Sequence, residues 1–294
     1  MAAVDGEIKM TYNVFTAFTD RQKELFEENY MDHLYRRNGE INLDACQLSA
    51  RERFFEELEA NPVRRHGPSV VEQEVFERNA ARRYPEPSLD EATLWALAMT
   101  KSNRLESYGI KYALSCLNQK VREPNDPLTY IELEENYHTR VLKNALEVVG
   151  LEMRLLPPPP TTRFLLKSMV RLPKAVTNTM ILCTEVAGVG AFSMLRDKAH
   201  ELFDDQPEPL QRLDEWFQQI LVDEVCHVNY ARSQLGPIRL KIAQAMLPAV
   251  AHGFINDMPE YKLLFGEKLM DRILAADVAS VVADYNDKFL PAYN

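Results

Sequence analysis

One four-residue word occurs twice in this chain, as Glu135-Asn136-Tyr137-His138 and as Glu224-Val225-Cys226-His227. In a helix, residues three apart share a face, so each copy directs a carboxylate and an imidazole toward the same point. Two such helices, with two more that each carry one inward glutamate, make the ligand set of a two-metal helical bundle. Glu106 and Glu185 are the single glutamates on offer. The order is then Glu, Glu-x-x-His, Glu, Glu-x-x-His, the alternation that a four-helix site requires. A lone copy would read as a solvated helix face with an incidental histidine, but only six histidines exist and two of them share this offset.

The single glutamates stand out for different reasons. Glu185 is the only charged residue in the apolar run Ala175–Leu195, and a charge in a buried helix is costly unless it is paired or binds a metal. Glu106 is the only acidic residue between Glu91 and Glu123. Each paired glutamate also follows an acidic residue, giving Glu134-Glu135 and Asp223-Glu224. A metal-bound imidazole normally donates its second N–H to a carboxylate or carbonyl. If the two helices face each other, Asp223 would hold His138 and Glu134 would hold His227. The other reading makes both surface acids; Leu221, Val222 and Val225 favour burial for Asp223.

Helix punctuation places these residues. Ser49-x-x-Glu52, Ser69-x-x-Glu72 and Ser88-x-x-Glu91 match the capping-box pattern, and the third opens a long helix from about Leu89 to Leu117 that carries Glu106. Asp126-Pro127 caps a second helix, with Glu135 and His138, that stops at Gly150. Pro157–Pro160 reads as an extended polyproline crossover. A third helix with Glu185 follows Pro173 and ends near Phe203. Pro207 and Pro209 introduce a fourth, with Glu224 and His227, that stops before Gly236-Pro237. Short joins within each pair and one long crossover give an all-α chain built on a ferritin-like four-helix bundle at about residues 89–234. Residues 14–84 read as two or three amphipathic helices outside the bundle or over a substrate entrance. Residues 237–288 add a further helix or two, and Phe289–Asn294 read as irregular.

At 294 residues and 46% hydrophobic content, the chain is long enough to bury a large core as a single domain over residues 1–294. Seventeen prolines against ten glycines suit jointed helices, and few alternating strand patterns occur. The four cysteines (Cys46, Cys116, Cys183, Cys226) form no Cys-x-x-Cys pair, which points to a reducing cytoplasm. Met1–Asn13 lack a signal-peptide pattern. The run Ala175–Leu195 is long enough to span a bilayer, but Thr177, Asn178, Thr184 and Glu185 interrupt it, so a buried helix is expected and no membrane partner. A net charge of −10 argues against nucleic acid as a partner. Around Glu185, Ala187-Gly188-Val189-Gly190-Ala191 removes bulk, with each glycine costing roughly 1 kcal/mol of helix propensity. Gly188 and Val189 are candidates for a pocket wall; close helix packing is the other reading.

On these residues the chain resembles a ferritin-like di-iron carboxylate oxygenase, and among those most resembles the p-aminobenzoate N-oxygenase type. The likeness covers roughly Leu89–Gln234 and rests on Asp223–His227, Glu134–His138 and the Glu185 helix. It implies an enzyme that uses O2 and reduced di-iron to hydroxylate or further oxidise an amine. Those enzymes carry an extra histidine one turn before the last glutamate; here that position is Ile220, which leaves six protein ligands. Glu134–His138 is also similar to the Glu-Glu-Asn-Arg-His stretch of soluble acyl-carrier-protein desaturases. The radical tyrosine of ribonucleotide reductase small subunits would fall at Leu142, and the threonine of methane- and toluene-type hydroxylases at Val189.

Mixed carboxylate and imidazole ligands suit two iron ions, with manganese or a mixed pair as the alternative. The expectation is therefore an O2-dependent di-iron oxygenase of a small organic substrate, with Glu106, Glu135, His138, Glu185, Glu224 and His227 as ligands. No dinucleotide fingerprint or iron–sulfur cysteine set occurs, so electrons would come from an external reductase or ferredoxin. The alternatives are a desaturase-like oxidase, recognising an acidic carrier protein through Arg82-Arg83 or Arg163–Lys174, and a non-enzymatic metal-binding bundle. A homodimer is the prior for such bundles.

Overall fold

The computed structural model describes residues 13–67, 70–117, 123, 125–169, 171–286 and 288–289, with backbone alone for 110–117 and 169. It is all-α, with twelve helices among the described residues. The N-terminal region holds α1 (Asp20–Asn38), a two-residue antiparallel pair β1 (Ile41–Asn42) and β2 (Gln47–Leu48), α2 (Ser49–Ala60) and α3 (Gln73–Ala81). The central region holds α4 (Glu91–Leu117), α5 (Pro127–Val148), α6 (Pro160–Met169), α7 (Lys174–Leu202) and α8 (Pro207–Ser233). The chain continues with α9 (Pro237–Asp257), α10 (Pro259–Phe265), α11 (Lys268–Ala275) and α12 (Val278–Val281).

The four long central helices close a ring: α4 packs on α5, α5 on α8, α8 on α7 and α7 on α4. The two Glu-x-x-His helices, α5 and α8, are therefore neighbours, and so are α4 and α7, which carry the single glutamates. Trp95 locks one end of this ring. Fully buried on α4, it donates its indole N–H to the Leu195 carbonyl on α7 at 2.9 Å. Its ring lies 5.4 Å from Phe203 and 6.4 Å from Phe217, so one side chain ties α4 to α7 and α8. Truncation of such a core aromatic costs about 3–5 kcal/mol.

α7 meets the length and composition of a membrane span, but half of its most apolar stretch is buried. It packs against α8, α9, α11, α12 and α4. This ring helix thus has cover on several sides. Gly190 permits part of this contact: a Cβ there would stand 2.8 Å from Ile273 Cγ1 and 3.4 Å from the Ile273 Cα on α11.

The expected joints hold at α5, where Asp126 caps the helix through Leu128 N–H at 3.0 Å and Pro127 opens it. Gly150 follows its end with φ +81°. α7 begins after Pro173 and is capped at Phe203, and α8 begins at Pro207. Other signals were misleading. Ser49 is not a cap but the first residue of α2, because its hydroxyl accepts the Glu40 N–H at 2.9 Å. Glu52, its expected partner, accepts instead from Tyr137 and Arg140. α4 starts at Glu91 rather than Leu89, because Asp90 and not Ser88 caps it, accepting the Thr93 N–H at 2.8 Å. Ser69 lies outside the described residues; Glu72 precedes α3 without a side-chain cap. The reciprocal box that forms is Thr19 with Gln22, at the start of α1.

The crossover also differs from expectation. Residues 151–159 are irregular, but Pro160 is the first residue of α6 and not part of the extended run. A proline at the first helical position loses no hydrogen bond, because that N–H has no intrahelical acceptor. The C-terminal region carries four helices rather than one or two. Of the tail expected to be irregular, 290–294 lie outside the described residues, while the Phe289 ring packs 5.5 Å from Tyr30 and 5.0 Å from His33. Residues 1–12 and the Cys116 side chain also lie outside them.

Candidate metal centre

The ring brings Glu106, Glu135, His138, Glu185, Glu224 and His227 to one buried locus. One group of ligand atoms from Glu135, Glu185, Glu224 and His227 lies within 4.8 Å of one another, and another from Glu106, Glu135 and His138 does the same. Glu135 belongs to both. Its Oε1 lies 3.1 Å from Nδ1 of His227 and its Oε2 lies 3.4 Å from Nδ1 of His138. Glu224 also reaches across, with Oε1 3.4 Å from Nδ1 of His138. Oε2 of Glu185 lies 3.8 Å from Nδ1 of His227. The imidazole centroids are 5.9 Å apart.

Both imidazoles are held from behind. Nε2 of His138 stands 3.3 Å from Asp223 Oδ2, and Nε2 of His227 stands 3.0 Å from Glu134 Oε2. The facing of α5 and α8 makes each word's acid hold the other word's histidine. Glu134 and Asp223 are both fully buried, so neither is a surface acid. With Nε2 engaged, the two Nδ1 atoms point inward, and both are buried with no hydrogen-bond partner. Oε2 of Glu106 is buried and unpartnered as well.

Residues outside the ring complete the shell. Arg37 on α1 donates from Nε to Asp223 Oδ1 at 2.6 Å and from Nη2 to the Gln219 carbonyl at 3.0 Å. Arg51 on α2 donates to the same Asp223 oxygen and to the Gln219 side chain, and its Nη2 lies 3.6 Å from Glu134 Oε1. Asn38 bridges, donating to Glu134 at 2.7 Å while its Oδ1 accepts from Arg51 Nε at 2.8 Å. α2 is fastened over α5: Tyr137 accepts the Leu48 N–H at 3.0 Å and donates to Glu52 at 2.5 Å, and Arg140 lies 4.3 Å over the Phe55 ring. Sequence reasoning missed Arg37, Asn38 and Arg51, because helices 14–84 read as a cover with no ligand spacing. Gln219 sits one turn before Asp223 on α8, a signal that was available.

Electrostatics follow from this crowding. Burial pushes Glu106 up to about 8 despite the two imidazoles, with the Glu135 and Glu185 charges adding to it. Burial, then the neighbouring acids, also raises Glu185 and raises Glu224 well above the carboxylate range. Burial works against ionisation of Glu135 too, but the His138 and His227 imidazoles facing its two oxygens outweigh it and hold the group at about 2. Burial alone would lower His138; Asp223 and Glu135 reverse this and raise it to about 10. His227 is raised likewise by Glu134 and Glu135. Asp223 is held well below its usual range, since Arg37, Arg51 and His138 together overcome burial. Four carboxylates cannot all ionise in one dry site without cations, so protons or metal ions must fill it.

The donors fit a pair of hard cations. Oxygen and imidazole ligands converge on inward, unpartnered atoms, and no thiolate among the described residues joins them. Cys226, beside His227 in sequence, turns its Sγ to His33 Nε2 at 3.3 Å, and Cys183 contacts the Ala243 carbonyl at 3.3 Å. Both are small buried thiols, and burial pushes Cys183 up to about 11. Of the small-residue run, Gly188 faces the site, where a Cβ would stand 3.2 Å from Glu224 Oε2. Val189 is part of the apolar core. Ile220, at the position where the resembled enzymes have a further histidine, is fully buried and adds no ligand.

The chain matches no family model, no curated protein and no solved structure. The site therefore carries the functional argument by its own chemistry.

Proposed function

We propose that this chain is an O2-dependent di-iron oxygenase of ferritin-like type that hydroxylates or N-oxygenates a small organic substrate. The observation that carries the reading is the position of Glu135, whose two oxygens are divided between two inward imidazole nitrogens. Glu135, which belongs to both groups of converging donors, would help to hold both ions, where a solvated helix face would leave it free. Glu106, Glu135, His138, Glu185, Glu224 and His227 would hold the ions, with iron favoured and manganese or a mixed pair accommodated by the same donors. When bound, such a pair supplies the electrons and the electrophile for O2 activation.

The remaining chemistry belongs to the protein. Asp223 and Glu134 accept hydrogen bonds from the Nε2–H groups and so leave the Nδ1 lone pairs for the site. Arg37 and Arg51 keep Asp223 ionised, which maintains that orientation. Burial excludes water and strengthens each electrostatic contact. Gly188 leaves Glu224 space to move its carboxylate. Electrons come from an external donor, a reductase or a ferredoxin.

The deciding experiment measures iron per chain after anaerobic reconstitution with Fe(II), in wild type and in Glu135→Ala/Glu224→Ala. The expected result is about two irons per wild-type chain, their loss in the variant, and a visible absorption band on exposure to O2. Equal, low iron in both proteins would remove the reading. Iron uptake without substrate-dependent O2 consumption would leave a metal-binding protein that is not an oxygenase.

A further inference from the structure

Charge is unevenly distributed along this acidic chain. Between Glu152 and Glu185 there are five basic residues and no acidic one, although the whole chain carries −10. That stretch forms α6 and the joint into α7. On it Phe164 and Leu165 are 70% and 60% exposed, and Leu172 is also exposed. Around them Lys167, Arg171 and Lys174 are exposed. Arg171 and Lys174 form no ion pair with the described residues. Exposed aromatic and aliphatic side chains with three exposed cations beside them in sequence have the composition of a protein-binding surface rather than of a solvated helix.

Its position relative to the candidate metal centre is specific. α6 packs on α4, and Leu166 Cδ2 lies 4.0 Å from where a Cβ of Gly109 would stand. Gly109 is three residues beyond Glu106, so it lies on the adjoining face of the helix that presents this carboxylate. One helix layer, an interaxial spacing of about 8–10 Å, separates the patch from α4. Electron transfer through protein weakens steeply with distance, so a donor seated here would stand close to the centre.

We propose that the α6 face, with Phe164 and Leu165 at its middle and Lys167, Arg171 and Lys174 on its rim, docks a small acidic electron-transfer protein. The proposal rests on the dinuclear reading and names its electron donor by chemistry. An acidic partner is repelled by most of a −10 surface and attracted here, which steers it to one orientation. A one-electron donor would leave oxidised after each encounter, so two encounters would supply the two electrons that the loaded centre would need.

The test uses the full chain and a small acidic [2Fe–2S] ferredoxin as probe. Binding to metal-free protein is titrated by calorimetry at low and high salt. Reduction of the iron-loaded protein by reduced ferredoxin is followed by stopped flow, beside reduction by dithionite. In Arg171→Glu/Lys174→Glu, binding and ferredoxin-driven reduction should both fall about tenfold or more with a flattened salt dependence; the dithionite rate should be unchanged. Phe164→Ser should weaken binding without altering the salt slope.

Equal affinity of wild type and the charge-reversed variant would overturn the proposal. So would a patch-dependent preference for phosphatidylserine vesicles, for an acyl carrier protein, or for a second copy of this chain. Because binding is read without metal, the two readings fail separately. A chain that takes up no iron yet binds ferredoxin through this face overturns the dinuclear reading alone. One that loads iron but ignores the charge reversal overturns the docking surface alone.

Discussion

Arg37 and Asp223 meet at 2.6 Å although they lie on the first and eighth helices, and through Asp223 this contact reaches the imidazole of His138. Asp223 thus receives two arginines and one histidine, while Glu134 receives Asn38 and His227. Asn38 and Arg51 join the two acids into one buried network. The N-terminal helices are therefore part of the site's support, and the orientation of both imidazoles depends on them.

Arg51→Met removes a buried cation from two buried acids. Breaking a buried pair in this way costs about 3–5 kcal/mol, and the lower end is expected because Arg37 still faces Asp223. Urea denaturation of the metal-free protein measures the loss. The double variant with Asp223→Asn should recover part of it, since the uncompensated charge is then gone; a strictly additive double variant would contradict the network.

Gly188→Ala and Gly190→Ala should behave oppositely. At Gly190 a Cβ meets Ile273 at 2.8 Å, so the variant loses stability in thermal melts by about 1–3 kcal/mol. At Gly188 a Cβ meets only the end of Glu224, at 3.2 Å from Oε2. Helix propensity then favours alanine by roughly 1 kcal/mol. The variant should be as stable as wild type or more so, yet bind Fe(II) more weakly in equilibrium dialysis. Unchanged iron affinity would show that Glu224 does not need that space.

Metal-free protein should lose stability as pH rises from about 5 to about 10. Glu106 is raised to about 8 and His138 to about 10, so the folded state holds protons that the unfolded chain has released. Their contributions are complete below the unfolded values and disappear as pH passes the folded ones. Glu135, held at about 2, works in the other direction and costs stability only in acid, as pH falls below its unfolded value. Melting temperatures across this window should fall by several degrees in apoprotein. Iron-loaded protein should show a flatter profile, because bound cations replace the protons; parallel profiles would argue against metal at these residues.

Tyr137→Phe tests the fastening of α2 on α5. The phenol accepts from Leu48 N–H and donates to Glu52, so its removal leaves a buried N–H unpaired at a cost of about 1–3 kcal/mol. Exchange of the Leu48 amide should accelerate while iron content stays near wild type, separating anchorage of the helix from ligation.

Much of the candidate site was legible along the chain because helical periodicity alone aligns residues three apart. Glu135 with His138, and Glu224 with His227, share a face in any helix. Glu185 announced itself as the sole charge in an apolar run, and Asp126-Pro127 marked a helix start wherever that helix packs. These are local consequences of backbone geometry and of the cost of burying charge. Ser49 and Ser88 were misleading for the complementary reason: a cap is a contest among nearby donors and acceptors, in which the Glu40 N–H claimed the Ser49 hydroxyl and Asp90 took the place of Ser88.

Tertiary structure alone decided that α5 and α8 would be neighbours, and hence that Asp223 holds His138 while Glu134 holds His227. It also recruited Arg37, Asn38 and Arg51, whose partners stand on distant helices and share no sequence period with them. Gly188 and Gly190, indistinguishable by helix propensity, became a site wall and a packing contact because a different neighbour faces each. Which side chains each helix can present on one face is a property of the local sequence, since it depends only on 3.6-residue geometry. Which faces meet depended on burying the apolar surfaces of the whole chain together, a long-range condition that no local spacing records.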